Sequence, residues 1–308
     1  MQGFRNVVCP FLVTILICVQ LAFVLGFNSL KFKRTPYNLC ALGESSEIDM
    51  RVPMNRSGVV VKELIREIYS GDDPLSYKTR ALPDFDYPHT HLNNEVVDHA
   101  LTVLTGHFGA GQVHFILEIG SFKGGSASLI AERLISAELR DCSIVCVDPF
   151  SGDVNMWAWA KDKVLGYDFL SLAKGIPTVY ETFRSNIIEK GYQNFVLPIP
   201  VPSVVGIRLL QRLTRENRLS HMPNMIFLDS AHEKTETAFE IKLSWDLLRE
   251  GGLLIGDDWN WEAVRSDVCD FAMKNSLLQL TLPENVEKVC GGILLWGKEL
   301  WMMQKPIM

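Results

Sequence analysis

The chain has 308 residues, 47% of them hydrophobic and 21% charged, with a formal net charge of −6 at pH 7. That length supports one large domain with appendages or two small ones, and that apolar content supplies a full core. The acidic balance argues against a phosphate-tracking surface, so no nucleic-acid partner is expected, and the lack of a fixed-period repeat argues against a solenoid or propeller.

Residues 7–27, VVCPFLVTILICVQLAFVLGF, carry no charge over 21 positions. At about 1.5 Å per residue a helix of that length spans roughly 30 Å, the thickness of a bilayer's hydrocarbon core. The run is long for a signal peptide and its exit, VLGFNSL, makes a poor cleavage site. A retained single-pass anchor over residues 1–27 is therefore expected, placing the protein at an endomembrane such as the ER or Golgi. A cleaved segment would instead give a secreted protein. Basic residues lie on both sides (Arg5; Lys31, Lys33 and Arg34) and leave orientation open. Of seven cysteines, Cys9 and Cys18 lie in this run. Cys40, Cys142, Cys146, Cys269 and Cys290 remain, in spacings that fit no zinc pattern, and most are expected to be buried thiols. Asn55 opens an N-R-S glycosylation sequon, which matters only in a lumenal domain.

Residues 28–57 read as a linker, and 58–112 as a helical extension with helices in VVVKELIREIY and EVVDHALTVLTGHF. Between them lies a loop rich in Pro and Asp that contains His89 and His91, for which surface packing is the plainer reading. From residue 113 to about 300, short apolar strands alternate with helices. The strands are VHFILEIG, SIVCVD, FVLPIPV, NMIFLDS and LLIGDD, with SLLQLTLP and GGILLWGK as closing strands. Wholly apolar strands separated by helices predict an α/β fold: a Rossmann-like, mostly parallel seven-stranded sheet with helices on both faces, preceded by the N-terminal membrane-spanning helix.

Ligands of such sheets sit beyond the carboxyl ends of the strands, where Glu118, Asp148, Asp229 and the Asp257–Asp258 pair all fall. The first turn, LEIGSFKGGSAS over residues 117–128, has Gly120, Gly124 and Gly125 but lacks the second close glycine of a dinucleotide fingerprint. Lys123 precedes Gly124 instead of following the last glycine, so a P-loop is not met, and a solvated loop charge is its plainer reading. A strand-end Glu118 suits an ammonium or sulfonium, while turn amides and the Ser126 hydroxyl suit a carboxylate. S-adenosylmethionine is such a ligand. Asp148 stands where ribose hydroxyls are accepted, with a cap or turn residue as the alternative. Asp229 ends one strand and Asp257–Asp258 the next, and strand ends lie about 5 Å apart. Carboxylates that close repel unless a cation neutralises them, and oxygen ligands suit Mg²⁺ or Ca²⁺. A helix cap is the alternative for Asp257 or Asp258. His232, just past Asp229, has a pKa suited to accept a hydroxyl proton. The long loop after Asp148, with Trp157 and Trp159, reads as a lid or acceptor wall.

LEIGSFKGGSAS, CVDPFSGD, FLDSAHEKTE and LLREGGLLIGDDW, in this order, resemble class I S-adenosylmethionine-dependent methyltransferases. The likeness is greatest to the metal-dependent branch of catechol and macrolide-sugar O-methyltransferases and covers roughly residues 90–298. It implies a donor site of Glu118, Gly120, Ser121, Gly124, Gly125, Ser126, Asp148, Ser203 and Asp229. It implies Mg²⁺ on Asp229, Asp257 and Asp258, with Asp229 and His232 as catalytic residues. The base of catechol-type relatives is a lysine at the His232 spacing, so this chain departs from them there. The implied acceptor is a small-molecule or glycan hydroxyl, and a homo-oligomer is compatible with the resemblance. Two other readings stand beside it: a non-catalytic nucleotide-binding scaffold at a membrane, and a hydroxylase-like or nicotinamide enzyme on the same fold.

Overall fold

The computed structural model describes residues 56–307 apart from 78, 80, 86–89, 160–169 and 231. The expected anchor at 7–27, Cys40, Asn55 and most of the linker lie outside the described residues, as does His89. Among the described residues no helix is long and apolar enough to cross a membrane.

The extension forms α1 (Val59–Tyr69) and α2 (Asn94–Phe108), each with apolar residues at helical spacing on its buried side. Asn93 starts α2 by accepting a hydrogen bond from the Val96 amide at 3.1 Å. Strands and helices then alternate: β1 (Phe115–Ile119), α3 (Gly125–Ser136), β2 (Ser143–Val147), α4 (Val154–Trp159), α5 (Val179–Glu189), β3 (Val196–Ile199), α6 (Ser203–Arg215), β4 (Met225–Leu228), α7 (Glu236–Leu247), β5 (Leu253–Gly256) and α8 (Glu262–Lys274). Three short strands close the order: β6 (Val286–Lys288), β7 (Leu294–Trp296) and β8 (Leu300–Gln304).

The sheet runs β3-β2-β1-β4-β5-β8-β7-β6. Its first five strands are parallel and its last three pair antiparallel, so it is a mixed sheet of eight strands, where a mostly parallel sheet of seven was expected. The segment SLLQLTLP makes only an isolated bridge, Leu278 to Gln304. β8, which carries the strand register beside β5, runs past residue 300, where the sequence reading ended the domain. Parallel strands buried on both faces explain the unbroken apolar runs. α2, α3 and α5 cover one face, and α1, α6, α7 and α8 cover the other.

Cys142 and Cys146 are buried thiols as expected, but Cys269 of α8 is disulfide-bonded to Cys290 in the loop before β7. The pairing was invisible in the sequence because the 21-residue separation fits no recognised spacing and only the β6–β7 return brings the two residues together.

Candidate functional site

Strand order reverses between β1 and β4, and in an open α/β sheet the crevice forms at that switch point. A cavity of about 680 Å³ opens there, large enough for a nucleoside-sized ligand. Gly120 has φ +85°, and a Cβ on it would come within 1.9 Å of the Asp229 carbonyl oxygen. Glycine thus lets the two strand ends meet.

The glycine-rich turn is built around Asp148. One carboxylate oxygen, Oδ2, accepts from the Ser121 and Phe122 amides at 2.8 Å each, and Oδ1 accepts from the Phe150 amide. Asp148 lines the cavity but is also the post on which the turn hangs, so its turn role is realised directly. Burial pushes its carboxyl up, against the three amides that lower it. Glu118 is fully buried on β1 with neither carboxylate oxygen hydrogen-bonded. Burial raises its pKa, softened by the nearby hydroxyls of Ser121 and Ser126 and the thiol of Cys146. The Ser121 hydroxyl is likewise unpartnered and lines the cavity with Gly120, Gly125 and Ser126 at the start of α3. Ser203, at the start of α6, lines the wall near Glu240, which accepts from the Ser230 hydroxyl at 2.7 Å.

Lys123 overturns its plainer reading. It is 3% exposed and paired with Asp84 of the extension at 2.6 Å. Asn186 of α5 binds the Asp84 and Lys123 carbonyls at 2.8 and 2.9 Å, so the extension is stitched to the turn.

The acidic corner divides. Asp229, His232 and Asp258 each offer a ligand atom within 4.8 Å of the others, whereas Asp257 groups with His91 and Glu299. Neither Asp257 nor Asp258 caps a helix: α8 starts after Trp261, with no side-chain cap. Asp258 has φ +61°, a strained backbone of the kind that clusters at functional sites. It brings Oδ2 to 2.6 Å from His232 Nε2, while Asp153, from the loop after β2, stands 3.4 Å from Nδ1. Both ring nitrogens of His232 are therefore engaged. Burial lowers its pKa, but the hydrogen bonds and charges of Asp153 and Asp258 outweigh burial and push it up to about 10. Asp229 is pushed well up by burial and by the charges of Asp257 and Asp258. Asp257 holds His91 instead: Oδ1 lies 2.7 Å from the imidazole Nδ1, and Oδ2 accepts from the His91 amide at 3.0 Å.

Sequence reasoning missed Asp153, Trp261 and Glu240 on the cavity wall and set His91 aside. The one signal for Asp153 was its place in the long loop after Asp148. Trp261 packs its ring 5.1 Å from that of His232. The loop after Asp148 does supply a wall through Gly152, Asp153, Asn155 and Met156. Trp157 donates to the Ser151 carbonyl at 2.8 Å.

Residues 117–259 match a family model described as a methyltransferase domain. No curated protein matches the sequence. Among solved structures, the O-methyltransferase TomG from Streptomyces achromogenes, involved in tomaymycin synthesis and determined with SAM, is 16% identical, with 72% of this chain and 85% of that chain covered and a TM-score of 0.43. An O-methyltransferase from Bacillus cereus in complex with SAH is 15% identical, covering 82% and 93%, with a TM-score of 0.41. The O-methyltransferase NovP is 13% identical, covering 81% and 97%, with a TM-score of 0.48. With the glycine-rich turn at its start and the Asp257–Asp258 corner at its end, the matched segment is a methyltransferase domain.

Proposed function

We propose that this protein transfers the methyl group of S-adenosylmethionine to a hydroxyl of a small-molecule or glycan acceptor, assisted by a divalent cation. The observation that carries this reading is the facing of two groups across one cavity: the turn of Gly120–Ser126 on one side, and Asp229, His232 and Asp258 on the other. The residues fit a donor with an amino-acid end. Unpartnered Ser121 lines the wall, orphaned Glu118 is buried on β1 just before the turn, and the start of α3 favours a carboxylate. Ser203 and Asp148 flank the nucleoside side.

The donor set of two carboxylates and one imidazole fits a divalent cation, with the imidazole favouring Mn²⁺ over Mg²⁺. Asp229, Asp258 and His232 would hold it, and Asp257 belongs to a separate pair. Bound there, such an ion lowers the pKa of an acceptor hydroxyl. Asp229, Trp261 and Met156 line the cavity beside His232 and Asp258 and would border an acceptor there. The scaffold and hydroxylase readings gain nothing from this arrangement.

Isothermal titration of the full chain with S-adenosylmethionine, with and without Mn²⁺ or Mg²⁺, tests the reading. Absence of donor binding would sink it. Asp258→Asn is expected to abolish methyl transfer and leave donor affinity nearly intact, and equal loss of both would make Asp258 structural.

The apolar run at 7–27 is proposed as a membrane anchor. The Cys269–Cys290 disulfide supports an oxidising, lumenal side for the domain, since such bonds are rare in the cytosol. A mobility shift on deglycosylation at Asn55 is the expected result, and an unglycosylated, fully reduced protein in cells would count against lumenal placement.

A further inference from the structure

Among the described residues two histidines line the cavity, and they are held differently. His232 has Asp258 on Nε2 and Asp153 on Nδ1, so neither nitrogen is free to receive a proton. Cation binding would leave it no freer. His91 is anchored through one nitrogen alone. Its Nδ1 lies 2.7 Å from Asp257 Oδ1, while Nε2 has no hydrogen-bond partner among the described residues, and the side chain is 53% exposed. A carboxylate on Nδ1 fixes the proton there and leaves the lone pair on Nε2.

The mounting is rigid. Asp257 has a side chain only 2% exposed, and its Oδ1 also accepts from the Asp258 amide at 2.8 Å. Its carbonyl accepts from Trp301 Nε1 at 3.1 Å, which ties it to β8. The His91 amide donates to the other carboxylate oxygen, so backbone and ring of His91 are both set by Asp257. Thr90 and His91 line the cavity beside Asp257 and Asp258, and both lie outside the matched segment 117–259. A buried carboxylate orienting the imidazole of a cavity-lining histidine, with the far nitrogen left without a hydrogen-bond partner among the described residues, is the arrangement of a general base.

Resting on the O-methyl transfer reading above, we propose that His91, oriented by Asp257, is the base that accepts the proton of the acceptor hydroxyl, and that the N-terminal extension thereby completes the active site. In this step the hydroxyl proton passes to His91 Nε2 and the oxygen forms a bond to the methyl carbon. The carbon–sulfur bond breaks with its electron pair on sulfur, and His91 later returns the proton to water. His232 remains with Asp229 and Asp258.

Two measurements on the full chain test this. In the first, the protein is treated with diethyl pyrocarbonate and its histidines are followed by peptide mass spectrometry. His91 is expected to react faster than His232 and to be slowed when the cavity is filled with S-adenosylmethionine and catechol. A His232 that reacts as fast as His91 overturns the proposal.

The second uses labelled S-adenosylmethionine with catechol as probe acceptor. His91→Asn keeps a donor toward Asp257 and lacks Nε2. It is expected to lower kcat about 100-fold or more, with donor affinity unchanged. A kcat close to wild type overturns the proposal, because a merely structural His91 would be replaced well by asparagine. Asp257→Asn is expected to lower kcat as well. If the wild type binds the donor yet methylates no catechol, transfer to a catechol-type hydroxyl fails, and the modification ranking alone upholds or overturns the free nitrogen of His91.

Discussion

Gly120 approaches Asp229 so closely that a Cβ at residue 120 would lie 1.9 Å from the Asp229 carbonyl oxygen and 2.9 Å from the Ser230 Cβ. This contact joins the glycine-rich turn to the first residue of the acidic corner. Gly120→Ala adds both a left-handed backbone cost and an overpacking cost, together about 2–5 kcal/mol. Urea denaturation should show that loss, and an unchanged midpoint would mean the two strand ends separate freely.

Asp148 gathers three backbone amides, those of Ser121, Phe122 and Phe150. Asp148→Asn leaves one oxygen acceptor and turns an amide group toward donors that already point inward. An unsatisfied buried group costs about 1–3 kcal/mol. Donor affinity, read by titration calorimetry, is expected to fall about tenfold or more as the turn loosens, which is about 1.4 kcal/mol or more. Wild-type affinity in the variant would show that the turn holds itself.

His232 sets a pH dependence whose sign follows from its pKa of about 10, above the unfolded value of about 6.5. The stability it contributes is complete below pH 6.5 and is lost as pH rises through about 10. The difference in unfolding midpoint between wild type and His232→Gln should therefore shrink from pH 7 to pH 10. A difference constant over that range would exclude the double carboxylate contact.

Cation binding must expel the proton from His232 and from Asp229, both held at raised pKa. The rise in Tm on adding Mn²⁺ is expected to be larger at pH 8.5 than at pH 6, and to vanish in Asp258→Asn. Equal stabilisation of wild type and variant would place the ion elsewhere.

The Cys269–Cys290 bond closes a loop across a separation of 21 residues, for which chain entropy gives about 3 kcal/mol. Cys290→Ser should lose about that much stability. Because the bond lies outside the cavity lining, donor affinity should stay near wild type. A large loss of affinity would tie the loop before β7 to the site.

The sequence alone determined the alternation of β1 to β5 with their helices, because fully buried parallel strands must be apolar throughout and helices must show their period. It also determined that Glu118, Asp148, Asp229, Asp257 and Asp258 gather at one sheet edge, since strand ends share an edge whatever the strand order. Only the tertiary structure decided how those acids pair. Adjacent Asp257 and Asp258 reach different histidines, and Asp258 does so from a left-handed backbone. His91 reaches Asp257 across a separation of 166 residues, and Lys123 reaches Asp84 across 39. β8 was missed because an antiparallel strand after the last apolar run leaves no alternation with a helix to announce it. Its Trp301 fills the space left by Gly256, where a Cβ would lie 2.1 Å from the indole, and so supports the corner that carries both aspartates. Local pattern dictates where a carboxylate stands along the chain. Its partner is dictated by the packing of distant segments, which no periodicity records.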